Sequence, residues 1–256
     1  MEKIWRLIID EAREPNANMA IDEAIMLRII GESITRSIIG ESITRSIIGG
    51  SMPTLRIYRW LYPCISIGKF QDPLTLTLSP LGRGKGEGNN LPFVRRPTGG
   101  GLVYHNEFGL TYSMIYREAS GAVPKGTVAS YRHIHEGIAA ALKELGVEAE
   151  LYLPVPRVAK TSGACFASPV ESDVVSEGKK IAGAAQRRRF GVVLHEGEVS
   201  LPLDVWHKYS YNMALNAFIN SLSKQLQARF LKGQISKEED CLAEELLMEH
   251  IEEVTR

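Results

Sequence analysis

A chain of 256 residues can bury one sizeable core, with at most a small appendage. Its 44% hydrophobic and 23% charged residues are those of an ordinary globular protein, and a formal net charge of zero excludes any general pull toward nucleic acid or acidic membranes. Cys64, Cys165 and Cys241 are widely spaced, which argues against a disulfide framework or a metal site and fits a reducing cytoplasm. Met1 to Asp10 alternates charged and apolar residues, unlike a signal peptide, and no apolar run approaches the ~18 residues of a membrane span.

In chain order, Ile4 to Ile9 reads as a strand. Asn16 to Ile29 reads as a helix, with Met19, Ala20, Ala24 and Leu27 at helical spacing. Gly31–Ile39 is repeated letter for letter at Gly40–Ile48, which suggests a duplication looping out between helix and strand. Leu55–Trp60 and Cys64–Ile67 read as a hairpin around Leu61, Tyr62 and Pro63. Asp72 to Asn90 carries glycines at 82, 84, 86 and 88 and reads as a loop; no helix follows it, which argues against a phosphate cradle. Strands are expected over Phe93–Arg96, Gly101–His105, Leu110–Tyr116, Val147–Leu153, Val174–Val175, Lys180–Ala184 and Val192–Leu194. Helices are expected over Thr127–Leu145, Ala214–Phe230 and Lys237–Glu252, the last opened by a capping box of Ser236 and Glu239. Without regular βαβ alternation, this mixture predicts an α+β fold.

Three segments carry chemistry. From Arg95 to His105, two arginines lead into Gly99, Gly100 and Gly101 between strands. Such a run costs backbone entropy and adds no packing, so it suits a close approach to a ligand or positive φ. Its N–H groups could cradle an anion or a carbonyl oxygen, and Arg95 and Arg96 could pair with phosphate or carboxylate. A tight hairpin with two surface arginines is the alternative.

From Glu177 to Gln186, Lys180 sits in a run of small and apolar residues, where burial is costly unless the ammonium is paired or functional. Alternation puts Lys180 and Ala182 on one face and Ile181 and Gly183 on the other. Facing a pocket, the lysine would bind an acyl carbonyl or a phosphate; facing water, it is an ordinary solvated side chain. Cys165, in Gly163–Pro169, is either a small buried hydrophobe or, beside a cation such as Lys180, a stabilised thiolate able to carry an acyl group. The histidines at 133, 135, 195, 207 and 250 have no metal-site spacing; His195 ends a strand just beyond the lysine segment.

Together these segments resemble the lipoate–protein ligase, octanoyltransferase and biotin–protein ligase superfamily. Arg95–His105 resembles its R-R-x-[ST]-G-G-G-x-V-x-H signature, and Gly178–Gln186 resembles its G-[RK]-K-[IL]-x-G-[SA]-A-Q signature. Asn18–Ala24 is similar to its N-M-A-x-D-E-A helix, and Arg56–Trp60 with Ser66–Gln71 resembles the following hairpin. Cys165–Pro169 resembles the C-F-x-[SA]-P of the cysteine-dependent octanoyltransferases.

The resemblance implies mixed and antiparallel sheets flanked by helices. It implies a catalytic domain over residues 1–205, with insertions at 31–50 and 73–90, and a helical extension over 206–256. Cys165 would take octanoyl from acyl carrier protein as a thioester, and a lysine of a lipoyl domain would then attack. Lys180 would hold the acyl carbonyl, and Gly99, Gly100 and Gly101 would line the acyl site. Arg95, Arg96, Thr98, His105, Gly183 and Ala184 complete the implied substrate site. No cofactor, metal, nucleic acid or membrane is implied. Two alternatives stay open. One is an ATP- and magnesium-dependent ligase, with Arg95 and Lys180 on an adenylate phosphate and Cys165 merely packed. The other is a catalytically impaired acyl-binding homologue. Two departures stand out: Asn106 replaces the family's usual Asp, removing a carboxylate that could orient His105, and the Gly-rich stretch before Arg95 replaces a helix.

Overall fold

The computed structural model describes residues 3–39, 52–72, 91–154 and 169–255. An eight-stranded mixed sheet has the order β11-β1-β2-β6-β10-β9-β8-β7. Its strands are β1 (Lys3–Arg13), β2 (Thr54–Trp60), β6 (Gly109–Arg117), β7 (Glu150–Leu151), β8 (Val174–Ser176), β9 (Lys179–Arg189), β10 (Val192–Ser200) and β11 (Ala228–Lys232). A second sheet of three strands, β4-β3-β5, is made of β3 (Cys64–Ile67), β4 (Phe93–Arg95) and β5 (Val103–His105). The helices are α1 (Pro15–Ile39), α2 (Thr127–Glu144), α3 (Leu203–Lys208), α4 (Tyr211–Leu226) and α5 (Lys237–Thr255). The architecture is the expected α+β.

The principal sheet is covered on both faces, which is why β6 is buried along nearly its whole length. Period-two alternation sorts the side chains. Leu7, Leu55, Tyr112, Met114 and Val193 join Ile134, Ile138 and Leu142 of α2 and Phe218 and Leu222 of α4 in one core. Ile8, Ile115, Val192 and Leu194 face the other way, against Ala20, Ile21, Ala24 and Ile25 of α1 and Ala243 of α5. A small cluster of Met19, Tyr58 and Val94 docks the three-stranded sheet against α1 and β2.

The Asn18–Ala24 segment anchors α1. Arg56 of β2 is wholly buried and donates to Asp22 Oδ1 at 2.9 Å, Asn18 Oδ1 at 2.7 Å and Asp10 Oδ2 at 2.8 Å. A buried guanidinium needs such partners, and two carboxylates and an amide supply them. Its plane also lies 4.1 Å from the Tyr58 ring centre.

Several expectations change. The helix predicted to end at Ile29 runs on to Ile39, so the first copy of the nine-residue repeat is helical, not looped; the second copy lies outside the described residues, as do residues 73–90. β2 and β3 are not a hairpin: Leu61–Pro63 is a corner at which the chain changes sheets, and a turn signal cannot say whether the next strand pairs back or departs. Of Val147–Leu153, Glu150 and Leu151 alone form a strand, and Tyr152 adds backbone hydrogen bonds to Ser172 and Asp173. The stretch 206–256 is not wholly helical. The helix expected to reach Phe230 stops at Leu226, Gln227 turns with φ of 50°, and β11 then pairs parallel to β1. The capping box stands: Ser236 N–H donates to Glu239 Oε2 at 2.8 Å, and Glu239 N–H to Ser236 Oγ at 3.2 Å. Glu239 also pairs with Arg6 at 2.6 Å, fastening α5 to β1. No helix among the described residues is long and apolar enough to cross a membrane.

Candidate active site

The Arg95–His105 segment wraps over the face of the principal sheet that α1 covers. Arg96 is buried and acts as the loop's strut. One of its nitrogens donates to Ser66 O and Ser66 Oγ at 2.8 and 2.7 Å, and the other to the carbonyls of Gly99 and Gly101 at 3.0 and 2.7 Å. The carbonyls of those two glycines therefore turn inward to a cation. Gly100 has φ of 88°, where a side chain is disfavoured. Its carbonyl oxygen lies 2.1 Å from where a β-carbon on residue 68 would stand, so Gly68 is needed for the loop to close. Arg95 is exposed and donates to the carbonyls of Gly68, Lys69 and Gln71, tying the loop to the end of β3.

His105 is buried and stacks on Trp60, ring centres 4.2 Å apart. Its Nε2 lies 2.6 Å from Ser66 Oγ and its Nδ1 3.1 Å from Glu198 Oε2. A carboxylate only accepts, so Nδ1–H donates to the glutamate, and Nε2 meets the Ser66 hydroxyl. Glu198 also accepts from the Thr111 hydroxyl at 2.5 Å. The carboxylate that orients His105 thus comes from β10. Asn106 serves elsewhere, accepting the Phe108 N–H at 3.0 Å. Ser66, His105 and Glu198 are connected like a hydrolase triad. However, Ser66 is fully buried and its Oγ is held by the Arg96 guanidinium, so this chain of bonds fixes the loop.

Lys180 is not a solvated lysine. Its side chain is 4% exposed and its Nζ lies 2.8 Å from Asp173 Oδ2. The simple alternation expected for β9 breaks here. The β8–β9 register shifts, with Val174 opposite Ala182 but Val175 opposite Lys180. A bulge of this kind inserts one residue and re-aims the neighbouring side chain. Ile181 and Ala182 consequently both enter the α2-side core, while Lys180 crosses over Gly183.

Between loop and sheet lies a cleft open to solvent. Gly183, Ala184 and Ala185 give it a floor nearly without side chains, and Met19, Trp60 and Val103 give it apolar walls. It is bordered by Lys180 on β9 and Tyr58 on β2. These strands are three inter-strand spacings apart, roughly 14 Å. Glu196 lines the cleft from β10. Its Oε2 accepts the Thr98 hydroxyl at 2.5 Å, while Oε1 is buried without a partner among the described residues. Burial pushes its carboxyl up to about 8, with the charge of Asp22 adding to the shift, so Glu196 itself is uncharged at neutral pH. Behind the floor, Gln186 donates to His195 Nδ1 at 2.8 Å, and burial holds His195 neutral. Burial also pushes the Cys64 thiol up to about 12, which leaves it inert. No cluster of metal-ligating side chains occurs among the described residues.

A model of the lipoyl protein ligase A/B catalytic domain matches residues 14–252. The chain belongs to this family. It is similar to the octanoyltransferase LipM of Symbiobacterium thermophilum, 39% identical over 80% of this chain and 68% of that protein. The octanoyltransferase LipM of Exiguobacterium sp. is 37% identical over 78% of this chain and 67% of its own length. That of Bacillus subtilis is 34% identical, covering 79% and 67%. Among solved structures, a T. acidophilum protein with bound lipoic acid superposes with a TM-score of 0.67 at 25% identity, covering 97% and 95% of the two chains. A lipoate-protein ligase A bound with ATP shares the fold, with a TM-score of 0.66 at 24% identity, covering 97% and 95%. The protein is an acyltransferase of this family.

Of the residues expected at the site, Arg96, Gly100, His105, Lys180, Gly183 and Ala184 line the cleft together. Thr98 reaches it through Glu196, and Arg95 holds the loop from outside. Cys165 lies outside the described residues. Sequence reasoning misses Asp173, Glu196 and Glu198, and it names Ser66 only as the start of the Ser66–Gln71 match, without a role. Two glutamates spaced by one residue within the apolar run Val192–Val199 were a usable signal for the β10 pair. Ser66 and Asp173 carry no comparable mark.

Proposed function

We propose that the protein transfers an octanoyl group from acyl carrier protein to a lysine of a lipoyl-domain protein through a thioester on Cys165. In the first step the Cys165 thiolate attacks the carbonyl of the donor thioester, and the donor thiol leaves, taking up a proton. In the second the neutral amine of the acceptor lysine attacks the enzyme thioester. The Cys165 thiolate leaves, and the amine's proton returns to sulfur or solvent. The exchange of thioester for thioester and then for amide needs neither ATP nor metal.

Lys180 is the observation that carries this reading: a near-buried ammonium on the wall of a cleft whose floor is glycine and alanine. There it would hold the acyl carbonyl and offset the charge of the tetrahedral oxyanion. The narrow floor beneath Gly100 suits an extended medium-length chain, and an uncharged Glu196 keeps the wall compatible with it. The names of the LipM relatives support octanoyl as the group moved.

The test is transfer from octanoyl-acyl carrier protein to a purified lipoyl domain without ATP. Turnover lost in Cys165→Ala, with an octanoyl adduct on Cys165 by intact mass, is expected. Transfer that requires ATP and magnesium and survives Cys165→Ala would replace this reading with an adenylate-forming ligase. Binding without transfer under either condition would indicate an acyl-binding homologue.

A further inference from the structure

Asp173, at the entry to β8, is fully buried and fully engaged. Oδ2 meets the Lys180 ammonium at 2.8 Å and accepts the Val170 N–H at 2.7 Å. Oδ1 accepts the Tyr131 hydroxyl at 2.8 Å. Tyr131, on α2, is held in turn by the peptide groups of Ala184. The Ala184 N–H donates to its oxygen at 2.8 Å, and the Ala184 carbonyl lies 2.9 Å from it. The last β8–β9 pair along this direction is Val174 with Ala182, so the tyrosine hydroxyl takes over the role of the missing strand one step further on. A helix, a turn and two strands therefore converge on one carboxylate.

A lysine on a flexible four-carbon stem must give up rotamer freedom to meet a carbonyl at a fixed point. The geometry points to Asp173 as the positioning residue of Lys180, with Tyr131 as the clamp that fixes Asp173. The ion pair fixes where the ammonium stands before the acyl group arrives. This inference rests on Lys180 facing the acyl carbonyl, as proposed above, yet it makes a claim about the resting protein that can be measured without turnover.

The test uses the full chain and brief treatment with acetic anhydride, followed by mass mapping. Lys179 is exposed and next to Lys180, so it serves as the internal reference. Buried Cys64, probed with a thiol reagent, reports an intact fold. Asp173→Asn is expected to raise labelling of Lys180 relative to Lys179 several-fold with Cys64 still shielded. It should also lower kcat for octanoyl transfer about 10²-fold with little change in the donor KM. Tyr131→Phe should do both to a smaller extent. An unchanged labelling ratio in Asp173→Asn with Cys64 shielded would overturn the inference. If that variant exposes Cys64, Tyr131→Phe decides in the same way. Wild-type transfer by Lys180→Ala would instead remove the role proposed for Lys180, and the labelling ratio would still decide whether Asp173 holds it.

Discussion

The Cε of Lys180 lies 2.2 Å from the point where a β-carbon on residue 183 would stand, and its Nζ 2.4 Å from the same point. The glycine three positions after the lysine is thus the space through which the lysine reaches the cleft. Gly183→Ala is expected to displace the ammonium and cut transfer by about 10²-fold. The thermal midpoint should fall as well, because moving the ammonium leaves the buried Asp173 carboxylate without its ion partner. Steady-state kinetics with a melting curve check both parts; a Gly183→Ala enzyme of normal rate would show that Lys180 can act from elsewhere.

Glu198 holds two donors, His105 Nδ1–H and the Thr111 hydroxyl. Glu198→Ala leaves both buried and unpaired, which should cost about 1–3 kcal/mol of stability. Because His105 also meets Ser66, and Ser66 the Arg96 strut, the loop should loosen as well. Urea unfolding gives the first quantity, and protection of the Gly99–Gly101 amides from hydrogen exchange gives the second. Asn106→Asp should alter neither much, since His105 already has its carboxylate.

Glu196 makes stability depend on pH. Its carboxyl rises from an ordinary 4.5 to about 8 in the folded protein, through burial first and then the charge of Asp22, opposed by Thr98 and Arg96. Between those two values the folded protein holds a proton that the unfolded chain has lost. Stability therefore falls as pH rises through this window and levels off above it. Asp22, also raised by burial, acts in the same direction. Glu196→Gln, which cannot ionise, should melt near the wild-type temperature at pH 5 and clearly above it at pH 9. A gap that stays constant across that range would contradict the assignment.

Arg56 tests the anchor of α1. Arg56→Ala strands the carboxylates of Asp10 and Asp22 near a wholly buried site. Breaking a buried pair in this way costs roughly 3–5 kcal/mol. Asp22→Asn should cost less, since an amide still accepts from the guanidinium. Chemical denaturation of both variants checks the order.

The elements that bury a periodic apolar face were legible in the sequence. α2 could be read from Ile134, Ile138 and Leu142, and β10 from Val192 and Leu194, because burial of one face depends on spacing alone. What stayed hidden depends on partners far along the chain. Ala228–Phe230 reads as the end of a helix locally and instead opens the strand β11, because β1 offers it an unpaired edge. The site divides in the same way. The glycines and Lys180 were visible as residues odd for their surroundings. Asp173 and Glu198 are ordinary acids until the fold sets Lys180 and His105 against them. The face of Lys180 was misjudged because a bulge changes the count by one, and a bulge leaves no mark in composition.

β11 has one further consequence. It runs beside β1 from Lys3 to Leu7, so the outermost hydrogen-bonding row of β1 is already occupied. A gene shortened after residue 205 would leave that row bare, a ready template for β-strands of other molecules. Such a product should come out of the cell as inclusion bodies. For anyone hoping to trim this protein for crystallography or fusion, the last fifty or so residues belong inside the boundary.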